Sequence, residues 1–135
     1  MKRPIIYLAV LLLGIACGRK QQSFTPAESA LDAGREFIDA CLKGDFTKAA
    51  FYMVADSTND RYLRQVEGVY RNEDRSGRQE LRTASININQ VEEVNDSTTI
   101  IHYSNSLDKT PYKVKVRGNK GNWLVDLKFT YNPNL

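Results

Sequence analysis

The sequence predicts an α+β domain in which N-terminal helices pack on one face of a curved, four-stranded antiparallel sheet. Apolar residues recur at helical spacing between residues 27 and 41, whereas from Thr83 onward they recur at every second position. The segment Gly-Asn-Lys-Gly at 118–121 separates two of the alternating stretches and is typical of a hairpin turn. Helices followed by a run of strands, each with one apolar face, indicate this fold class.

Length and composition restrict the chain to one ordinary globular domain. It has 135 residues, 41% hydrophobic and 26% charged, which excludes a disordered or fibrous chain. Two of the 19 basic side chains lie in residues 1–16, so 17 basic and 16 acidic side chains follow, a net charge of +1. This balance excludes a dedicated nucleic-acid binder. Two cysteines, one histidine and the absence of a cofactor motif lead us to expect neither metal nor cofactor.

Residues 1–16 are predicted to be a signal peptide of the lipoprotein type. Lys2 and Arg3 precede an uncharged run, residues 5–16, that would rise about 18 Å as a helix, short of the roughly 30 Å bilayer core. The run ends in Leu-Gly-Ile-Ala-Cys at 13–17, which resembles the lipobox of bacterial lipoproteins, although glycine replaces the leucine usual three residues before the cysteine. The resemblance implies lipidation of Cys17, which would be diacylated, become the new N-terminus and be acylated again on its amine, with palmitate among the acyl groups.

The acyl chains would make the membrane a partner of this protein, with residues 17–24 as the lipidated cysteine and a polar tether. Gly18 stands where some lipoproteins carry an aspartate that retains them at the inner membrane, and no acidic cluster follows Cys17. In this respect the chain resembles lipoproteins of the periplasmic face of the outer membrane. The folded domain is expected to span residues 25–131.

Three helices are predicted before residue 73. Thr25, with Pro26 and Glu28 behind it, has the pattern of a helix cap, and Gly44 is a typical stop, with Cys41 packing as a small hydrophobic residue. Asp45 can cap a second helix over residues 46–53. A third helix over residues 59–72 would turn five apolar or aromatic side chains inward: Tyr62, Leu63, Val66, Val69 and Tyr70. The charged residues 71–80 are predicted to form a mobile connection, with a lid or docking loop as the functional alternative.

Four strands are predicted after this connection, over residues 83–94 with a bulge, 98–106, 112–116 and 123–129. Folding the last two about the turn at 118–121 pairs residues whose numbers sum to 239. Three apolar pairs result: Val116 with Trp123, Val114 with Val125, and Tyr112 with Leu127. On the opposite face of the sheet, Lys113 and Asp126 are predicted to form an ion pair.

Two segments carry a resemblance to a known superfamily. They are Phe-Ile-Asp-Ala at 37–40 leading into Lys-Gly-Asp-Phe-Thr-Lys-Ala at 43–49, and the closing Asn-Lys-Gly-Asn-Trp-Leu-Val-Asp at 119–126. The order of elements and these residues resemble the NTF2-like (cystatin-like) superfamily over residues 25–130, and within it the DUF4878-like lipoproteins of unknown function from Bacteroidetes. The resemblance implies a cone between helices and sheet, and speaks to fold more than to chemistry.

The sequence contains one candidate for acid–base catalysis. Enzymes of this superfamily place an acid or base inside the cone, and His102 would be a general base if its side of the strand faced inward. The carboxylates Asp32, Glu36 and Asp39 follow the exposed side of the first helix. A basic stripe is predicted on the outer face of the sheet, formed by Lys113, Lys115, Arg117 and Lys128. Five aromatic residues could line a cavity or simply form core: Tyr62, Tyr70, Tyr103, Tyr112 and Trp123.

The absence of a catalytic or metal-binding pattern favours a non-catalytic module that binds a small ligand or another envelope protein. The sheet face also permits a homodimer, although its lysines disfavour a dry interface. The alternative is a small enzyme of the isomerase or dehydratase type with His102 as its base. A cavity that brings His102 within hydrogen-bond reach of a tyrosine hydroxyl would favour the enzyme.

Overall fold

A computed structural model describes residues 22–119 and 121–131 and has an α+β architecture. Its elements, in chain order, are α1 (Ala30–Lys43), α2 (Phe46–Phe51), α3 (Ser57–Asn72), α4 (Arg75–Thr83), β1 (Ile86–Asn95), β2 (Thr98–Asn105), β3 (Tyr112–Asn119), β4 (Asn122–Asp126) and α5 (Lys128–Tyr131). The predicted signal peptide at 1–16, Cys17 and tether residues 18–21 lie outside the described residues.

The four strands form one antiparallel sheet in the order β1-β2-β3-β4, and helix α1 packs across it in contact with every strand. The prediction of helices followed by a four-stranded antiparallel sheet is thereby confirmed. Phe37 and Ile38 of α1 meet Ile101, Val114 and Val125 of the sheet in the buried core. The predicted bulge in β1 is present, since the register with β2 shifts between Ile88 and Gln90.

The predicted end of α1 is confirmed and its predicted start is wrong. Gly44 adopts a φ of 75° and donates its N–H to carbonyls of the last turn, and Asp45 then caps α2 by accepting from Lys48 N at 3.0 Å. Helix α1 begins after Ser29, whose hydroxyl accepts from Asp32 N, and not at Thr25. The Thr25 carbonyl accepts from the hydroxyl of Tyr52, the residue that follows α2, at 2.6 Å, so this stretch is tied to the end of α2.

Residues 71–80 are not the predicted connection, because most of them belong to α4. The Asp74 side chain caps this helix by accepting from Gly77 N at 2.7 Å, and Arg82 Nε donates to the Tyr70 hydroxyl at 2.8 Å. The sequence shows no apolar helical pattern here, because no residue of α4 is buried. In the preceding helix α3, Leu63 and Tyr70 are buried as predicted, whereas Val69 is exposed.

The register predicted for the last hairpin is wrong by two residues. Paired residues of β3 and β4 sum to 241: Val116 lies opposite Val125, and Asn119 lies opposite Asn122. The turn therefore includes Gly121, whose positive φ of 82° is typical of a tight hairpin turn. A shift of two keeps the apolar faces matched, so the alternation of residues could not distinguish the two registers.

Strand β4 is shorter than predicted, and its outer edge is covered. Val125 exchanges backbone hydrogen bonds with the segment after α2, accepting from Val54 N at 2.9 Å and donating to Tyr52 O at 2.8 Å. The chain then leaves the sheet after Asp126 and forms α5, so Phe129 is not on a strand. The Thr130 hydroxyl donates to Lys113 O at 2.9 Å, which docks α5 beside the part of β3 that extends past β4.

Candidate ligand-binding cavity

A cavity of about 610 Å³ opens between α1, α3, α5 and the sheet. Its position follows from the spacing between α1 and the sheet. At Gly34 the helix lies so close to β2 that an added Cβ would collide with Ile101 Cδ1. Further along α1 the side chains are larger, and Phe37, Ile38 and Cys41 line the cavity together with Val114 of β3.

The mouth of this cavity carries an unusual share of the exposed apolar surface. Seven large hydrophobic side chains are exposed among the described residues. Four of them line the cavity: Val69 (67% exposed), Leu107 (43%), Tyr112 (36%) and Tyr131 (46%). Because exposed apolar residues gathered at one concave site cost solubility, their concentration here is typical of a binding site.

Asn105 supplies a hydrogen-bond donor to the cavity wall. The residue closes β2 on the helix-facing side of the sheet and is only 9% exposed. Its Oδ1 accepts from Leu107 N at 2.9 Å, which fixes the orientation of the amide. Its Nδ2 has no acceptor among the described residues, where every fully enclosed side-chain nitrogen or oxygen has a partner. The Nδ2 atom is therefore not fully enclosed, and Asn105 is one of the residues that line the cavity.

Three tyrosine hydroxyls and one thiol among the lining residues are neutral at physiological pH. Burial, reinforced by neighbouring ionisable groups, raises the pKa of Tyr103, and burial raises the pKa of the Cys41 thiol to about 12. Burial also raises the pKa of Tyr131 and, together with a hydrogen bond to Asp108, that of Tyr112. None of these groups is an ionised nucleophile or base.

Asp108 is the one charged residue that lines the cavity in the described part of the chain. The Thr110 N–H donates to its Oδ1 at 3.0 Å and the Tyr112 hydroxyl to its Oδ2 at 3.0 Å. These hydrogen bonds, that from Thr110 N–H first, hold the pKa of Asp108 below its usual range. The carboxylate is thus anionic, hydrogen-bonded and a weak base.

His102 lies on the opposite face of the sheet from the cavity. Along β2, Thr99, Ile101 and Asn105 are buried on the helix side, and the alternation turns His102 outward. Its Nε2 lies 3.2 Å from Glu92 Oε2 on β1. The structure therefore does not bring His102 to the cavity or to its tyrosine hydroxyls.

The other polar candidates also lie outside the cavity. On α1, Asp39 pairs with Lys43 at 2.9 Å and Glu36 with Lys48 at 2.5 Å, while Asp32 is exposed in the first turn. In the basic stripe, Lys113 Nζ and Lys115 Nζ lie 5.9 and 5.7 Å from the ring centre of Phe129. The remaining members, Arg117 and Lys128, pair with carboxylates.

The predicted surface pair of Lys113 with Asp126 is wrong. Asp126 is only 4% exposed, because the N-terminal turn of α3 covers the end of β4. Its carboxylate accepts from Asn59 Nδ2 at 3.3 Å and lies 3.4 Å from Arg117 and 3.5 Å from Lys128. Asp126 is part of a structural polar network and not of the cavity.

The aromatic candidates divide between cavity and core. Tyr70, Tyr103 and Tyr112 line the cavity, Tyr62 stacks on Tyr131 with ring centres 4.6 Å apart, and Trp123 packs against the core. Sequence reasoning missed Asn105 and Asp108. An asparagine on the apolar side of β2 was the available signal, but it depends on knowing which side faces the helices.

Among residues 22–119 and 121–131, no cluster of three or more potential metal ligands occurs. The helices in the same part of the chain lack the combination of length and hydrophobicity that a membrane span requires. Comparison of the sequence with models of known protein families and with curated proteins finds no match.

Proposed function

We propose that this protein is a lipoprotein anchored to the periplasmic face of the outer membrane, whose folded domain binds a small, largely apolar molecule without transforming it. The observation that carries the binding role is the set of four exposed apolar side chains around a cavity of about 610 Å³. Cavities of roughly 300–1,000 Å³ with mostly apolar walls are typical of small-molecule sites.

The chemistry of the wall favours binding over catalysis. The hydroxyls of Tyr103 and Tyr112 and the thiol of Cys41 are neutral. Asp108 is held by two hydrogen bonds that weaken it as a base. An isomerase or dehydratase would need an acid or base beside the ligand, and His102 faces away from this space. The proposal therefore keeps the ligand chemically unchanged.

We further propose that the domain is an NTF2-like (cystatin-like) cone, as the resemblance to the DUF4878-like lipoproteins implies, with the sheet curved around α1. The support is the packing of α1 across all four strands and the cavity left where α1 and the sheet diverge. In such a cone the ligand would enter between α3 and the connection from β2 to β3.

Photoaffinity labelling of the full-length protein in nanodiscs tests the binding role. The probe is a diazirine-bearing methyl ester of dodecanoic acid, and mass spectrometry maps the labelled peptides. We expect label on peptides that contain Val69 and Leu107, and its loss in the double variant Val69→Glu with Leu107→Glu. Both positions are exposed, so the change leaves the core intact.

The matched control is Val91→Glu with Val94→Glu, which introduces the same charges at exposed valines on β1 away from the cavity. This variant should be labelled like the wild type. Equal labelling of the mouth variant and the control, or an absence of label from the cavity peptides, would overturn the proposed function.

Mass spectrometry of the membrane fraction tests the anchor separately. The wild type should lack residues 1–16 and carry acyl mass on Cys17, whereas Cys17→Ala should be neither acylated nor cleaved by that route. A wild-type chain that retains residues 1–16, or an unmodified Cys17, would refute the anchoring proposal and leave the cavity unaffected.

A further inference from the structure

We infer that the cavity selects an uncharged apolar molecule that carries a carbonyl-type hydrogen-bond acceptor, such as an acyl ester, and that it discriminates against the corresponding carboxylate. This inference rests on the proposed binding function and names its ligand class. Two features carry it: the open donor of Asn105 and the charge of the cavity wall.

The donor decides the polar group of the ligand. Asn105 lines the cavity, its Nδ2 has no acceptor among the described residues, and its Oδ1 already accepts from Leu107 N at 2.9 Å. A ligand group at this point must therefore accept a hydrogen bond. An apolar molecule without an acceptor would cover the donor and leave it unsatisfied, which costs affinity.

The charges of the wall decide the net charge of the ligand. The residues that line the cavity include no lysine, arginine or histidine, and their one ionised side chain is the carboxylate of Asp108. A bound carboxylate would find no cation among these lining residues, since Arg82, which donates to the Tyr70 hydroxyl, is not one of them, and it would be repelled by Asp108. A neutral ester or amide presents the same carbonyl oxygen to Asn105 without that repulsion.

The hydroxyl group of Tyr112 does not change this conclusion. Tyr112 donates its hydroxyl hydrogen to Asp108, so it is not available as a donor to a ligand anion. Tyr103 lies beside Tyr112 with ring centres 5.5 Å apart, and both rings present apolar faces next to Val114. The body of the ligand would lie against these rings with its acceptor toward the end of β2.

Competition against the photoaffinity probe in nanodiscs tests the inference with three competitors of equal chain length. These are methyl dodecanoate, dodecane and, at pH 8, dodecanoate. We expect the ester to compete about fivefold better than dodecane in the wild type, the ratio of one ordinary hydrogen bond. The extent of competition by each competitor is compared between variants at the same lipid concentration, so that its partition into the lipid is the same in every sample.

Two isosteric variants separate the two features. Asn105→Asp keeps an oxygen for Leu107 N, removes the donor and adds a charge that pairs with neither of the two uncharged competitors, so the advantage of the ester over dodecane should disappear. Asp108→Asn keeps an acceptor for Thr110 N and removes the charge, so competition by dodecanoate should improve about fivefold. Asp96→Asn, at the exposed turn before β2, is the matched charge control and should change neither ratio.

Failure of the inference differs from failure of the proposed function. One outcome is that the probe labels the cavity while dodecanoate or dodecane competes as well as the ester. In that case the ligand class is wrong and the binding function stands. Should Asn105→Leu, which lacks any polar group, keep the full ester advantage, the role of Asn105 is also refuted. Loss of cavity labelling in every protein refutes both.

Discussion

Asn59 near the start of α3 holds Leu127, the residue that follows β4, across 68 positions of sequence, since its Oδ1 accepts from Leu127 N at 2.8 Å. The Nδ2 of the same side chain donates to Asp126 at 3.3 Å and to Asp56 at 3.2 Å. Asn59 is completely buried, so these hydrogen bonds form in a dry environment. One amide thus joins the helical half of the fold to the last strand.

Replacing Asn59 should destabilise the protein. In Asn59→Ala the Leu127 N–H and the Asp126 carboxylate would stay buried with fewer partners, which costs about 1–3 kcal/mol. Urea unfolding followed by circular dichroism measures the loss. Asn87→Ala, at an exposed position of β1, is the control and should change the free energy of unfolding by less than about 0.5 kcal/mol. Equal stability of the two variants would contradict the role of Asn59.

The role of Asn59 was not predictable from the sequence. Residues 56–60 are polar, and local patterns give no sign of a partner 67 residues away. The same limit affected Asp126, which alternation placed on an exposed face. By contrast, the caps at Gly44 and Asp45 were predictable because their hydrogen bonds are local.

Two glycines should respond in opposite directions to substitution by alanine. Gly68 on α3 has nothing within 4 Å of an added Cβ, so Gly68→Ala should stabilise the helix by about 0.5–1 kcal/mol. Gly34 on α1 faces the buried Ile101, whose methyl group would collide with the new Cβ. Gly34→Ala should therefore lose this gain and destabilise the fold by about 1–3 kcal/mol.

Thermal and urea unfolding of both variants measure this contrast, and each variant serves as the control for the other. Stabilisation by both substitutions would show that the Ile101 side chain moves away from the new Cβ without cost. The contact also bears on the cavity, because the close approach at Gly34 precedes the space between Cys41 and Tyr103.

The hairpin and the cavity show how far patterns of polarity can predict a structure. Alternation fixed which residues of β3 and β4 share a face, but a register two residues away satisfies the same pattern, and only the turn distinguishes them. Likewise, helical spacing placed Val69 on the inner side of α3, yet the neighbouring elements leave it open at the mouth. Whether an apolar side chain lies in core or in a cavity depends on the spacing between elements.

Acid should weaken the protein partly through Asp56. The Asn59 N–H and then the Lys128 ammonium hold the pKa of Asp56 below its usual range. A carboxyl group with a lowered folded pKa stabilises the fold above its ordinary pKa, and this contribution is lost as the pH falls through the folded value. The melting temperature of the wild type should therefore fall between pH 5 and pH 2 for this reason among others.

Asp56→Asn isolates this contribution, because asparagine remains a good helix cap but cannot pair with Lys128 as a charge. We expect a lower melting temperature than that of the wild type at pH 7 and convergence of the two toward pH 2. Asp96→Asn, in the exposed turn before β2, should follow the wild type throughout. A constant difference between Asp56→Asn and the wild type at every pH would exclude the charge as its cause.

The thiol of Cys41 should report on the cavity from within. Burial raises its pKa from 9.0 to about 12, so at pH 8 its thiolate fraction is about a thousandfold lower than that of an unperturbed cysteine. In a Cys17→Ala background, where Cys41 is the remaining cysteine, alkylation by N-ethylmaleimide should be slow in the folded protein and fast in urea. Its rate should still rise with pH above 9, and methyl dodecanoate should slow it further. A rate that levels off near pH 9, or one that equals the rate in urea, would show that water reaches the Cys41 side of the cavity.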